Sequence, residues 1–171
     1  MAELVYESPL GPLLLMARGG KLIYCNWESS DCEVKKRRVL KFGAALGGDP
    51  ALSNEKILEL AVGQLNEYFE GDREDFDLPV EPYGTPFQKR VWEAMARIRY
   101  GEVRAYSWIS KEIGAGRGHR AVAQACGGNP LAIILPCHRV VATDGGSGGY
   151  TGGIEKKEWL LKWEKSNLSK K

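Results

Sequence analysis

Histidine and cysteine are scarce in this 171-residue chain, which has two histidines, His119 and His138, and four cysteines, Cys25, Cys32, Cys126 and Cys137. No two cysteines form a CxxC pair, and neither histidine has a Cys or His partner at zinc-finger spacing. That leaves no ligand set for a structural zinc site and no disulfide framework. No metal and no cofactor are expected. No apolar run approaches the roughly 18 residues of a membrane-spanning helix, and no basic-then-apolar leader opens the chain. A cytoplasmic location is expected, or a nuclear one if the source is eukaryotic, with no membrane partner.

What is present is ordinary globular material, 43% hydrophobic and 27% charged, enough for one domain or two small ones. The net charge of +2 hides an asymmetry. Residues 1–82 hold 9 Lys+Arg against 15 Asp+Glu, net −6, whereas residues 83–171 hold 15 against 7, net +8. A basic half joined to an acidic one points to a polyanionic partner for the basic half, although a solvated surface without a partner carries the same charges.

The two halves differ in pattern as well. "LVYESPLGPLLLMARGGKLIYCNW" gives three β-rich runs broken by Ser8-Pro9-Leu10-Gly11 and Gly19-Gly20-Lys21, both hairpin signals. "CEVKKRRVLKF" opens a charged helix whose Lys35–Arg38 run reads as a solvated face. "SNEKILELAVGQLNEYFEG" is a cleaner helix, with Ser53 as N-cap and Gly71 as stop. Its Ile57, Leu58, Leu60, Ala61, Leu65, Tyr68 and Phe69 recur at helical spacing. "DREDFDLPVEPYGTP" lacks periodicity and reads as a boundary, dividing the chain into domains 1–82 and 83–171.

Beyond it, Thr85 as N-cap and Pro86 at the first helical position open a basic amphipathic helix through Phe87, Val91, Trp92, Met95 and Ile98. "YSWISKEIG" and "RAVAQACGG" are two short helices joined by the glycine-rich "AGRGH", a helix-turn-helix pattern that ordinary helical hairpins share. The second helix offers Ala121, Val122, Ala123, Ala125 and Cys126, with only Arg120 and Gln124 able to reach far. A helix so poor in base-reading side chains would meet DNA by shape and phosphate contact, without sequence preference. The alanines could equally pack it into a core.

The apolar "LAIIL" runs into "PCHRVV", residues 136–141. A cysteine alone passes as a small core residue, but an adjacent histidine and arginine do not. An inert buried thiol, a hydrolase-type Cys–His pair and a thiolate acting as an alkyl or acyl acceptor all remain open for Cys137. On an extended segment, neighbouring side chains point to opposite sides. Direct Cys137–His138 bonding would therefore need a sharp bend, and a water relay or a different local conformation suits the spacing better.

The segments "TPFQKRVWEAMARIRYGEVRAYSWIS", "RAVAQACGGNP", "ILPCHRVVATDGG" and "GGYTGGIEKKEWLLKWE" span about residues 83–164. In content, order and spacing the chain resembles the O6-alkylguanine-DNA alkyltransferases, which repair DNA by direct reversal. "SPLGPL" and "NWE" give residues 1–82 a looser likeness to that family's variable N-terminal domain. The resemblance implies an α/β (α+β) chain. A small ribonuclease-H-like α/β domain with a β-sheet would precede a mostly helical, winged-helix-like domain with a helix-turn-helix.

Carried over onto this sequence, the resemblance makes Cys137 the alkyl acceptor. His138 would act on it through a water, and Glu164 would orient the imidazole. Asn129 would be the hinge tying the helix-turn-helix to the reactive segment. Arg120 would enter the stack in place of the extruded guanine, and Tyr106 would help rotate the nucleotide out and contact it near N3. Ala121, Gln124, Ala125 and Gly127 would complete the DNA face. Tyr150 would pack on the flipped base, the Thr151 amide would bond the alkylated oxygen, and the carbonyls of Cys137 and Val140 would read the exocyclic amine. Thr151 stands where many members have serine, and Cys126 where others carry different residues. The zinc found in some members has no ligands in the histidine-poor N-terminal half.

The implied reaction is a single, irreversible transfer from O6-alkylguanine, with O4-alkylthymine as a further candidate, in double-stranded DNA. The thioether product has no easy route back, so one turnover per chain and a monomeric protein are expected. A non-catalytic alkyl-damage-binding protein is the alternative. Proteins of that type typically carry tryptophan where this chain has Cys137.

Overall fold

The computed structural model describes residues 1–42, 52–146 and 148–171. The chain forms two compact units, Met1–Tyr83 and Gly84–Lys171.

The first unit is built on a three-stranded antiparallel sheet, ordered β1 (Ala2–Ser8), β2 (Gly11–Arg18), β3 (Lys21–Trp27). Gly19 and Gly20 both have positive φ, 58° and 73°, as a two-residue primed hairpin turn requires. Central β2 is covered on both faces, and Leu13 to Ala17 run without an exposed residue. Leu14 and Met16 join Ile23, Tyr24 and Val39 of helix α1 (Ser30–Phe42) in one cluster. Helix α2 (Asn54–Glu70) lies against all three strands. Its caps are those the sequence marks: Ser53 accepts from the Lys56 amide at 3.1 Å, and Gly71 closes the helix in the left-handed conformation.

The stretch expected to be only a boundary does more. The Leu22 amide donates to Pro79 O at 2.8 Å and the Glu81 amide to Leu22 O at 2.9 Å, so Val80 pairs in parallel with β3. Two backbone hydrogen bonds outweigh the missing side-chain periodicity.

The second unit is mainly helical. Helix α3 (Pro86–Met95) starts with a full capping box between Thr85 and Gln88. Buried Trp92 donates its indole N–H to Ala125 O at 2.8 Å, fixing α3 against α5 (His119–Gly127). Helix α4 (Tyr106–Glu112) precedes α5 through a glycine turn with Gly114 and Gly116 at positive φ. Strand β4 (Arg104–Ala105) pairs in parallel with β5 (Val140–Val141), and helix α6 (Ile154–Leu168) ends the unit. The segment is bent rather than extended: Cys137–Arg139 form a 3₁₀ turn, with the Arg139 amide on Pro136 O at 3.0 Å. Pro136 lacks an N–H and cannot extend a strand ladder, whereas its carbonyl can close a turn.

Candidate active site around Cys137

Cys25, Cys32 and Cys126 are buried, whereas Cys137 is only half-buried. Burial pushes the Cys25 and Cys126 thiols well above their ordinary value. Exposure therefore separates Cys137 from those two as the reactive thiol. Its position is set by Asn129, which is buried at the end of α5. The Asn129 Nδ2 donates to Leu135 O at 2.8 Å and lies 3.2 Å from the Cys137 sulfur, while Oδ1 accepts from the Leu131 amide at 2.9 Å. The loop so clamped contains Ile133 at φ 70°, a strained conformation for a β-branched residue.

Because the turn bends, His138 leaves Cys137 and enters the core. Its Nε2 is 2.6 Å from Glu164 Oε1, both side chains being fully buried. Burial alone would push the Glu164 carboxyl up, but His138 and Arg139 pull it down to about 2, so it is ionised and can only accept. Nε2 therefore carries the imidazole proton. His138 Nδ1 is buried without a hydrogen-bond partner among the described residues. Burial lowers the His138 pKa, Glu164 opposes that, and the Arg139 and Lys157 cations reinforce it. The resting imidazole is neutral, with its basic lone pair on Nδ1.

Glu164 is held from further sides. Arg139 Nε lies 3.0 Å from Oε2, Arg139 Nη2 lies 3.0 Å from Oε1, and the Gly101 amide donates to Oε2 at 3.0 Å. Lys157, fully buried, donates to Val140 O at 2.6 Å; burial lowers its pKa, and Cys137 and Cys126 oppose this. The Cys137 carbonyl accepts the Val140 amide. Both carbonyls expected to read a base thus accept an internal hydrogen bond.

Tyr106 opens α4 half-buried, and burial followed by Cys126 and Cys137 raises its hydroxyl to about 12. A Cβ on Gly148 would sit 2.9 Å from that hydroxyl, so the glycine-rich loop passes directly over Tyr106. The same loop is tied to α5 where Thr151 Oγ1 donates to Gly127 O at 2.9 Å. Tyr150 is half-buried beside it.

Helix α5 divides its small residues between two faces. Arg120, Ala121, Gln124 and Gly127 form an exposed stripe. Ala125 does not belong to it: it is 3% exposed and faces the core, where its carbonyl takes the Trp92 N–H. Val122 and Cys126 are buried with it.

Sequence reasoning named Cys137, His138, Glu164, Asn129 and Tyr106, but gave Arg139, Lys157 and Gly101 no role. Nothing in the sequence pairs Arg139 or Lys157 with a partner, and only their burial marks them. Among the described residues, no group of three or more His, Cys, Asp or Glu side chains could hold a metal ion. No helix among them is long and apolar enough to cross a membrane.

The comparisons with known proteins bear on this arrangement. The family model described as "6-O-methylguanine DNA methyltransferase, DNA binding domain" matches residues 86–166. The "6-O-methylguanine DNA methyltransferase, ribonuclease-like domain" matches residues 1–82. The chain is 42% identical over 164 residues to the methylated-DNA–protein-cysteine methyltransferase of Methanosarcina barkeri, covering 96% of this chain and 97% of that one. It is 41% identical over 160 residues to the protein of the same name from Mycobacterium bovis, covering 94% and 90%. The crystal structure of Mycobacterium tuberculosis OGT in complex with DNA superposes with a TM-score of 0.77 at 40% identity, covering 95% of this chain and 92% of that one. With both halves matched along nearly their whole length, the chain belongs to the 6-O-methylguanine DNA methyltransferase family.

Proposed function

We propose that this chain is a methylated-DNA–protein-cysteine methyltransferase that takes an alkyl group from guanine O6 in duplex DNA onto Cys137. The observation that carries the reading is the Asn129-held Cys137 sulfur, next in sequence to a buried His138 whose other nitrogen is fixed by ionised Glu164. A carboxylate behind an imidazole fixes its tautomer and supports the charge it gains.

DNA is the partner. The basic balance of residues 83–171 suits a phosphate backbone, and the exposed stripe of α5 carries only Arg120 and Gln124 as long side chains. Binding is therefore largely indifferent to sequence. The alkylated base lies within a pair and must leave the stack before a thiolate reaches it, at a cost of a few kcal/mol. Arg120 fills the gap and Tyr106 helps turn the nucleotide. Tyr150, the Thr151 amide and the Cys137 and Val140 carbonyls receive the base.

The Cys137 proton passes through a water to His138 Nδ1. The thiolate then attacks the alkyl carbon in line; the S–C bond forms, the O6–C bond breaks, and its electron pair goes to guanine, which takes up a proton. The thioether stays on Cys137, so the chain acts once, as a monomer. The pocket accepts O6-alkylguanine, with O4-alkylthymine as a further candidate substrate. A protein that only binds damage would have no use for the acceptor sulfur. Adding excess duplex with labelled O6-methylguanine tests this: transfer stops at one label per chain and is lost in Cys137→Ser. Repeated turnover, or binding without transfer, overturns it.

A further inference from the structure

We infer that Arg139 is a positioning residue for the transfer: its guanidinium neutralises the Glu164 carboxylate and so keeps His138 an uncharged base. The inference rests on the transfer reading above. It starts from how the carboxylate is held. Glu164 meets the Arg139 fork through Nε and Nη2 at 3.0 Å each, in addition to the imidazole at 2.6 Å. The guanidinium cannot swing away. Its Nη1 donates to Ile98 O at 2.7 Å, and its carbon stands 5.6 Å from the centroid of the Tyr100 ring.

The charges decide what the imidazole does. A histidine buried against a lone carboxylate favours the imidazolium. Here the carboxylate is already paired, and the Lys157 ammonium also acts on the ring. Among the described residues, the charged groups acting on His138 are Glu164 and Lys157 from α6 and Arg139 from its own turn. The Ile98–Gly101 segment adds a carbonyl, an amide and the Tyr100 ring. Protonating His138 at rest would add a cation to a neutral buried pair, which burial penalises. Once Cys137 ionises, the new imidazolium has a thiolate to balance it. The proton stays on His138, because Nε2–H remains donated to a carboxylate that Arg139 keeps ionised.

The test is the pH dependence of the second-order transfer rate in Arg139→Gln and Arg139→Lys, with the unmodified chain as reference. Losing the guanidinium raises the His138 pKa, so Arg139→Gln moves the acid limb of the profile upward by about one pH unit. Arg139→Lys keeps a cation and restores the original limb, with a lower plateau. A uniform loss of rate at every pH in Arg139→Gln, as a purely structural cross-link would give, overturns the inference. If Arg139→Gln does not fold, the unmodified chain still decides. The ¹⁵N shifts of the His138 ring should report a neutral imidazole with its proton on Nε2 at about pH 6.5, and an imidazolium there overturns the inference. That spectrum needs no alkylated DNA. A chain that transfers nothing defeats the function reading while leaving the imidazole state separately measured.

Discussion

The Asn129 side chain holds two things at once: its Nδ2 is 3.2 Å from the Cys137 sulfur and 2.8 Å from the carbonyl of Leu135. One amide therefore sets the reactive atom and the bend that presents it. Asn129→Ala leaves the buried Leu131 amide and Leu135 carbonyl without these partners. A loss of about 2–4 kcal/mol in urea denaturation is expected. The transfer rate, measured where the variant is still fully folded, falls on the order of tenfold or more.

Acid should destabilise the chain in two stages. His138 has a folded pKa below its ordinary 6.5, so its contribution is full above that value and is lost as pH falls through the lowered one. Glu164 is depressed from 4.5 to about 2, so its contribution is full above 4.5 and drains away between those values. The thermal midpoint should therefore slope downward below about pH 6.5 and steepen below 4.5. His138→Gln, which cannot titrate, removes the upper slope and leaves a smaller lower one, since Arg139 still holds Glu164 down.

Arg120 is exposed at the start of α5. If it fills the gap left by an extruded base, Arg120→Ala should slow transfer from duplex DNA by about ten- to a hundredfold, a few kcal/mol of extrusion cost. Transfer from the free alkylated base should hardly change. Equal loss on both substrates would place Arg120 in the chemistry instead.

Gly101 donates its amide to Glu164 from a backbone at φ 75°. A Cβ there would also meet the exposed end of Leu168, a side chain free to turn aside. Backbone strain therefore sets the cost. Gly101→Ala should lower stability by about 1–2 kcal/mol and shift the pH profile of transfer, since it displaces a donor on the carboxylate behind His138.

How much of this the sequence carried depends on range. Caps and turns are local, so Ser53, Gly71, Thr85 and the Gly19-Gly20 hairpin could be read directly, and each occupies its expected place. "PCHR" advertised its chemistry because a packing argument would not put those residue types beside an apolar run. The bend at Cys137–Arg139 was hidden, since it depends on the Pro136 carbonyl and on the distant Asn129 clamp. Arg139 and Lys157 were hidden for a related reason: a buried cation is recognised by its partner, and Glu164 and the Val140 carbonyl lie 25 and 17 residues away. Ala125 was placed on the wrong face of α5, although Val122, Ala125 and Cys126 recur at helical spacing and mark its buried side. Val80 pairs with β3 through backbone alone, which side-chain pattern does not record.

The central claim is that Cys137 is consumed as an alkyl acceptor, and peptide-level mass spectrometry reads it most directly. After incubation with a duplex containing one O6-methylguanine, the peptide bearing Cys137 should gain the mass of one methylene, in step with the loss of lesion. Cys25, Cys32 and Cys126 should remain unmodified. Repaired DNA with an unmodified Cys137, or methylation spread over the other cysteines, would contradict the account.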